Sequence, residues 1–229
     1  MRHLSEKKLD INYTQFTAIL ILPTFYDIMC TDIFGGFVMY KLCKSEQSAN
    51  RRRELEQQLL TMMETLRLDE ITVSDLCVRA GISRKVFYRY FSGKEGALYA
   101  LIDHTLLELE NVPYAGKLHG EHGYQKKLAW FFRFWQEQKR LLDAIAFSGI
   151  SQILVERVIE YALSDAGAIR DFLPCCGADA REYATTFSAC GFMSTVLLWH
   201  RSDFQMSPDQ MAEVVMPLLT KPLIQLKTT

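Results

Sequence analysis

The chain has no excess of either charge, although it is large enough to have an extensive core. Among 229 residues, 26 are Lys or Arg and 27 are Asp or Glu, which gives a formal net charge of -1. Proteins that coat nucleic acid or an anionic membrane through their overall charge are strongly basic, so this class is excluded. Only 6 prolines occur, and 49% of the residues are hydrophobic, which is enough for one or two packed domains.

Short motifs that identify common enzymes and metal sites are also missing. The sequence has no glycine-rich phosphate loop, no His-Glu-x-x-His, no nucleophile elbow and no Cys-His pair at an informative spacing. His104 and His200 are isolated, and we interpret both as partly exposed helix residues and not as ligands or bases. We therefore predict no catalytic residue, no metal site and no cofactor.

The cysteines show neither the paired spacing of metal ligands nor the framework of a secreted disulfide protein. Free thiols in a reducing cytoplasm are the simplest interpretation. The six are Cys30, Cys43, Cys77, Cys175, Cys176 and Cys190.

No long apolar run is uninterrupted. The segment 16–42 is apolar, but one proline, two aspartates and a glycine pair break it, so it is a poor membrane span. The charged stretch before it is long and no cleavage site of small residues follows it, so it is also a poor match to a signal peptide. We expect residues 1–50 to be an extra N-terminal segment, disordered or produced by a mis-assigned start with Met39 as the true one. A genuine arm or a weakly membrane-associating segment is the alternative.

The most informative segment is 71–94, which predicts two short helices joined by a Gly-Ile-Ser turn. Thr72 is expected to cap a helix over 73–80, with Asp75 completing the capping box. Gly81 is suited to the left-handed conformation that ends a helix, and Ser83 can cap the next one.

The second of these helices has one apolar face and one basic, aromatic face. Between Ser83 and Lys94 the sequence has four basic residues and no acidic one. A helix fits the major groove of DNA, where basic side chains reach guanine acceptors and phosphates. A surface hairpin with an ordinary solvated face would give the same pattern. The apolar face comprises Val86, Phe87, Tyr90 and Phe91, and the outer face comprises Arg84, Lys85, Tyr88 and Arg89.

The flanking segments predict two longer helices. One is amphipathic over 51–66, with apolar residues recurring along one stripe. The other opens with Ser92 and Glu95 as a capping box and continues through Leu106, which places Lys94 at a helix N-terminus.

The block from Arg51 to about Glu110 resembles the N-terminal DNA-binding domain of the tetracycline-repressor (TetR) family of bacterial transcription regulators. The resemblance implies that Ser83, Arg84, Lys85 and Val86 approach bases, and that Thr72, Tyr88, Tyr90 and Lys94 hold phosphates. Lys85 and Val86 depart from the family pattern, which leaves the operator sequence open. For Tyr90, a half-buried ring with a surface hydroxyl is an equal alternative. The motifs that carry the resemblance are Thr72-Val73, Asp75-Leu76, Ala80-Gly81-Ile82-Ser83, Phe87-Tyr88, Tyr90-Phe91 and Lys94-Glu95.

Beyond Pro113 the sequence is helical with short breaks, so the predicted fold is all-α. A helix-turn-helix domain over 51–110, with its motif at about 73–92, is joined by a linking helix to a helical effector and dimerisation domain over 111–229. An aromatic cluster in the second domain could line an apolar effector pocket, although plain core packing explains each ring as well. The pocket candidates are Trp130, Phe131, Phe134 and Trp135.

Two final helices, over 180–201 and from Pro208 onward, are rich in small and apolar residues. The family resemblance implies that they pair with their twofold mates in a homodimer, and an apolar pair within one chain is the alternative.

Taken together, these features predict a cytoplasmic bacterial protein that lies at the nucleoid when bound to DNA. It would be a ligand-responsive repressor on a palindromic operator of double-stranded DNA, with no membrane partner and with activation not excluded. The alternatives are a helical ligand-binding or interaction protein without operator binding, and, more distantly, an enzyme.

Overall fold

The predicted all-α fold is confirmed. The computed structural model describes residues 39–41, 43, 45–111, 120–164 and 178–220. These residues contain nine helices and no strand, apart from one isolated antiparallel bridge between Tyr40 and Phe91. The helices are α1 Glu46–Met63, α2 Val73–Arg79, α3 Arg84–Phe87, α4 Lys94–Asn111, α5 Gly120–Glu137, α6 Lys139–Ser148, α7 Ser151–Leu163, α8 Ala178–Arg201 and α9 Pro208–Thr220.

Helix α1 begins before the predicted position. Ser45 caps it, and the side chain of Ser48 completes a capping box by accepting the Ser45 N–H. The helix therefore spans Glu46–Met63 instead of 51–66. The predicted boundary between residues 50 and 51 falls within this helix, and the predictions for residues 1–38 lie outside the described residues.

The α2–α3 pair forms as the sequence indicates. Thr72 caps α2 in a capping box with Asp75, and Gly81 adopts a φ of 65°. The Ile82 N–H donates to the Cys77 carbonyl (3.0 Å) and the Gly81 N–H to the Val78 carbonyl (3.2 Å), the two bonds of a Schellman motif. Gly81 therefore fixes the angle at which the chain leaves α2.

Helix α4 links the two halves of the molecule, because it packs against both α1 and α7. Its predicted capping box is wrong. The N–H and the hydroxyl of Ser92 both donate to the carbonyl of Met39 (3.0 and 2.8 Å), so that a residue 53 positions away in sequence replaces Glu95. The start of α4 is thus joined to the segment that precedes α1.

The second half of the described chain packs as two helix pairs. Helix α9 lies against α5 and α8 lies against α7, while α6 contacts α1. Serine caps α9 as predicted, since the Ser207 hydroxyl accepts the Gln210 N–H (3.2 Å) and Pro208 occupies the first helical position. None of the described helices is long and apolar enough to cross a bilayer.

Candidate nucleic-acid interface

The outward face of α3 carries the residues that sequence analysis assigns to DNA bases. Ser83, Arg84 and Lys85 are exposed, and Val86 is half-buried. Ser83 caps the helix, because its hydroxyl accepts the Val86 N–H (3.3 Å). Two cationic side chains therefore project from the first turn of a helix that has no acidic neighbour on that turn.

Two phenylalanines anchor α3 from beneath. Phe87 and Phe91 are fully buried, and their ring centroids lie 5.3 Å apart. Tyr88 stands at the edge of Phe87 (5.5 Å between centroids) and remains 41% exposed. Tyr88 therefore lies partly in solvent beside the exposed face of α3.

Thr72 is exposed at the N-terminus of α2, but its hydroxyl already serves the capping box. It donates to a carboxylate oxygen of Asp75 (2.5 Å) and accepts the Asp75 N–H (3.1 Å). A phosphate bound here would share or replace the carboxylate, so the assignment of Thr72 stays a prediction.

Tyr90 and Lys94 are engaged inside the domain. Tyr90 is buried, with 8% of its surface exposed. The Lys94 ammonium donates to the carbonyls of Asp69 (3.1 Å) and Ile71 (2.7 Å), which leaves one of its three N–H groups for another acceptor. Lys94 thus braces the turn before α2, and phosphate contacts by both residues stay predictions.

The predicted effector residues lie within the core of the second half. Phe131, Phe134 and Trp135 are buried and Trp130 is partly buried. Phe131 packs edge-on against Phe192 of α8 (5.6 Å). The buried indole N–H of Trp135 has no hydrogen-bond partner among the described residues, which is an unusual cost for a core side chain.

The interpretation of the two histidines as partly exposed is wrong. His104 and His200 are buried, and each contacts a carboxylate, Glu56 at 2.6 Å and Asp143 at 2.7 Å. A carboxylate from another helix compensates the cost of burying each polar imidazole ring. The sequence pattern of the helix that carries the histidine cannot reveal such a partner. Among the described residues, no group of three His, Cys, Asp or Glu side chains could hold a metal ion.

A segment that no sequence pattern indicates, residues 39–41, holds the C-terminal end of α3. The backbone N–H of Lys41 donates to the carbonyl of Tyr90 (2.7 Å), and its ammonium donates to the carbonyl of Tyr88 (3.2 Å). The carbonyls that follow α3 are therefore capped by a residue that lies before α1 in sequence. No local pattern signals this contact.

A buried polar network extends from the same segment. The hydroxyl of Tyr40 donates to Asp103 of α4 (2.6 Å), and Arg157 of α7 grips both oxygens of Asp103 (2.9 and 2.5 Å). Asp103 is fully buried, and burial raises the pKa of its carboxyl while the Arg157 guanidinium opposes that rise. The pairing with Arg157 compensates a carboxylate that would be costly to bury alone.

Arg52 of α1 ties a second branch to the segment. Its guanidinium donates to the Lys41 carbonyl (3.2 Å) and to Nε2 of His104 (2.8 Å), and lies 5.3 Å from the centre of the Tyr40 ring. Because arginine only donates, the His104 proton resides on Nδ1, which donates to Glu56. Residues 40 and 41 are thus held by both α1 and α4.

A family model matches one segment of the chain. Residues 68–101, which include α2, α3 and the start of α4, match the family described as bacterial regulatory proteins, tetR family. A 42-residue stretch is 52% identical to the HTH-type transcriptional regulator EthR of Mycolicibacterium smegmatis. That stretch covers 18% of this chain and 19% of that relative, so the comparison bears on one module only.

Two solved structures share the fold over a longer range. A tetR-family transcriptional regulator from Streptomyces coelicolor aligns with a TM-score of 0.50 and 17% identity, over 74% of this chain and 78% of that one. A TetR transcriptional regulator from Streptococcus agalactiae aligns with a TM-score of 0.52 and 13% identity, over 76% and 95% of the two chains. Identities this low show a common fold alone. The family match and the geometry of α2 and α3 agree, and residues 68–101 of this chain form a helix-turn-helix segment of the tetR family of bacterial regulatory proteins.

Proposed function

We propose that the chain is a sequence-specific DNA-binding transcriptional regulator whose α3 enters the major groove. The observation that carries the proposal is the outward set Arg84, Lys85 and Tyr88, on a helix fixed by the Schellman turn at Gly81. Arginine or lysine near the start of such a helix reads guanine, and the tyrosine hydroxyl reaches a phosphate. Since the net charge of -1 gives the protein no general attraction to DNA, the basic residues of this face must supply the affinity for phosphates.

An exposed apolar stripe supports a homodimer through the last two helices. On α8, Tyr183, Phe187 and Leu198 are 77%, 73% and 61% exposed, and their spacing places them on one face. On α9, Val214 and Leu218 are also exposed and lie one turn apart. A twofold axis at this stripe would bury it and present two α3 helices to a palindrome with half-sites roughly 34 Å apart.

We further propose that a small effector acts through the second half, with repression as the default outcome in the cytoplasm. The unpartnered N–H of Trp135, within an aromatic cluster, supports a ligand that brings one hydrogen-bond acceptor. Since α4 contacts both α1 and α7, a ligand that displaces either helix would change how the two α3 helices are spaced.

Selection of bound DNA tests the proposal. Full-length protein and a version that starts at Met39 are mixed with fragments of the source genome at two salt concentrations, and the bound sites are sequenced. Enrichment of an approximate palindrome, weakened by Arg84→Ala, is the expected result. Weak binding that salt abolishes without a common sequence would contradict operator recognition.

The same experiment separates the alternatives. A helical ligand-binding or interaction protein that does not read DNA would give no palindrome, yet would still respond to small molecules in a thermal-shift screen. An enzyme would change the compound that stabilises it, which mass spectrometry of the incubated compound would detect. The exposed basic face of α3 favours the regulator over both.

A further inference from the structure

We propose that residues 39–41, here called the strap, position the recognition helix α3 according to the place of α7, with Tyr40 as the positioning residue. The strap precedes α1 in sequence but lies between the end of α3 and the start of α4 in space. This inference rests on the proposed function only in its second half, where the consequence for operator binding is drawn.

The strap replaces the stabilisation that α3 cannot provide for itself. A helix of four residues, Arg84–Phe87, has too few internal hydrogen bonds to hold its own direction. Two carbonyls directly after α3 accept hydrogen bonds from Lys41. Its ammonium donates to the carbonyl of Tyr88, and its backbone N–H donates to the carbonyl of Tyr90. The turn at Gly81 fixes the start of α3 and Lys41 holds its end, so a shift of Lys41 would tilt the helix.

Both ends of the strap are fixed by contacts that leave little freedom. The Met39 carbonyl accepts two hydrogen bonds from Ser92, and it approaches Gly96 so closely that a side chain there would collide with it. At the other end, the Lys41 carbonyl accepts from Arg52 of α1. A shift of the strap would disturb both contacts.

Tyr40, at the centre of the strap, connects it to the second half of the molecule. Its hydroxyl donates to Oδ2 of Asp103, and Arg157 of α7 donates to both oxygens of the same carboxylate. Arg157 in turn contacts Glu160 and lies 5.4 Å from the centre of the Tyr99 ring, so its fork is oriented within the helix pair α4–α7.

Because the residues of this chain of contacts have little solvent exposure, a movement of one of them affects the others. Tyr40, Asp103 and Arg157 are each buried or nearly so, so that no water can take the place of a lost partner without rearrangement. A displacement of α7 must either carry Asp103 and Tyr40 with it or leave a buried carboxylate unpaired. If Asp103 and Tyr40 move with α7, the strap moves too, and α3 moves with the strap.

A second contact between the two halves provides a matched control. Arg140 of α6 donates to Glu64 (2.5 Å) and to Thr61 (3.1 Å), and all the ionic groups of this pair are substantially exposed. It joins the two halves but touches no residue of the strap. Arg140→Gln therefore breaks an inter-domain contact without breaking the proposed chain.

Residue-resolved amide hydrogen exchange of the full-length protein tests the coupling without DNA. Arg157→Lys loses the bidentate hydrogen bond to Asp103 but keeps a positive charge beside it. Because the buried carboxylate stays paired, this variant should fold better than one with a neutral residue. We expect exchange at the Lys41 and Ser92 amides, which bond across the strap, to accelerate about tenfold. Arg140→Gln is expected to change it less than about twofold. Unchanged exchange at both amides in folded Arg157→Lys protein would overturn the proposal.

Operator affinity tests the consequence. Tyr40→Phe, which removes only the hydroxyl, should weaken operator binding about five- to tenfold, and the Tyr40→Phe, Arg157→Lys double variant no more than the worse single one. Affinity for random duplex should stay within about twofold, since no charge on the DNA-facing surface changes. A general loss of structure would instead weaken both kinds of DNA.

The two failures are distinguishable. Accelerated exchange together with the absence of any selected operator would contradict the proposed function and leave the coupling standing. A clear operator whose affinity is indifferent to Tyr40→Phe, with wild-type exchange in Arg157→Lys, would contradict the strap alone.

Discussion

The carbonyl of Met39 passes so close to Gly96 that a β-carbon on that glycine would lie 2.2 Å from its oxygen. Backbone, not a flexible side chain, occupies that space, so an added methyl group cannot be accommodated by a rotamer change. Glycine at this position is a condition for the strap to dock on the first turn of α4.

Gly96→Ala is therefore expected to destabilise the protein by about 1–3 kcal/mol through overpacking and to detach the strap. Thermal unfolding would measure the loss. The matched control is Gly93→Ala, directly before α4, where the new methyl group would meet only the end of the Glu95 side chain, at 3.1 Å. Equal stability of the two variants would contradict the close approach.

Arg84→Ala should weaken operator binding by about 1–3 kcal/mol and relax the preference at one base pair, because an exposed base-reading side chain is lost. Its midpoint of thermal unfolding should not change, since Arg84 is exposed. The control is Arg133→Ala, which removes an equally charged, exposed side chain that pairs with Asp209 far from α3. If both variants lowered affinity alike, net charge and not base reading would be responsible.

Lys94→Ala should reduce both stability and DNA affinity. The variant loses two hydrogen bonds to backbone carbonyls, worth about 1–3 kcal/mol together, and one cation near the DNA. Lys85→Ala is the matched comparison, because Lys85 is exposed and should affect DNA affinity alone. Denaturant unfolding and binding to random duplex separate the two effects; a Lys94→Ala protein as stable as wild type would show that the brace contributes nothing.

Phe187→Glu should convert the proposed dimer into a monomer, because it places a charge at the centre of the exposed stripe on α8. Light scattering measures the mass directly. Phe147→Glu, at an exposed phenylalanine on α6 outside the stripe, is expected to leave the assembly intact. A wild-type protein that is strictly monomeric would remove the dimer hypothesis altogether.

The Asp143–His200 contact predicts a small loss of stability in acid. Burial raises the pKa of Asp143, but hydrogen bonds from His200 and Lys139 outweigh it and hold that pKa below its ordinary value. A lowered folded-state pKa stabilises the protein at pH values above the unfolded pKa of about 3.9, and this stability is lost as the pH falls from there through the lower folded pKa. Since Asp143 is half-exposed, the loss should be less than about 1 kcal/mol. Asp143→Asn should remove this part of the pH dependence in thermal unfolding.

Local capping signals made the helix-turn-helix predictable. The side chains that start and end α2, Thr72 with Asp75 and then Gly81, act on backbone groups within a few residues, so the sequence contains the whole interaction. The start of α1 was missed because Ser48 completes its capping box where a glutamate is usual. The miss at α1 therefore reflects an unusual residue in a local capping box and not a distant partner.

Contacts over long sequence separations could not be predicted in this way. Ser92 bonds to Met39 at a separation of 53 residues, and Asp103 is buried because Arg157, 54 residues away, pairs with it. Periodicity assigns a charged residue to the solvent face of its helix unless the partner is known. The two backbone carbonyls that Lys94 contacts could not be predicted for the same reason, since they belong to another part of the domain.

The buried set Tyr40, Asp103 and Arg157 also constrains how this protein can diverge. Each residue belongs to a different element, and each satisfies a polar group of its neighbour where water does not reach. A mutation that changes one of them leaves another uncompensated, so a lineage can cross that barrier only by changing the set together or by opening the site to solvent. Across orthologous sequences, these three positions should therefore covary, even though they are scattered over more than a hundred residues of chain.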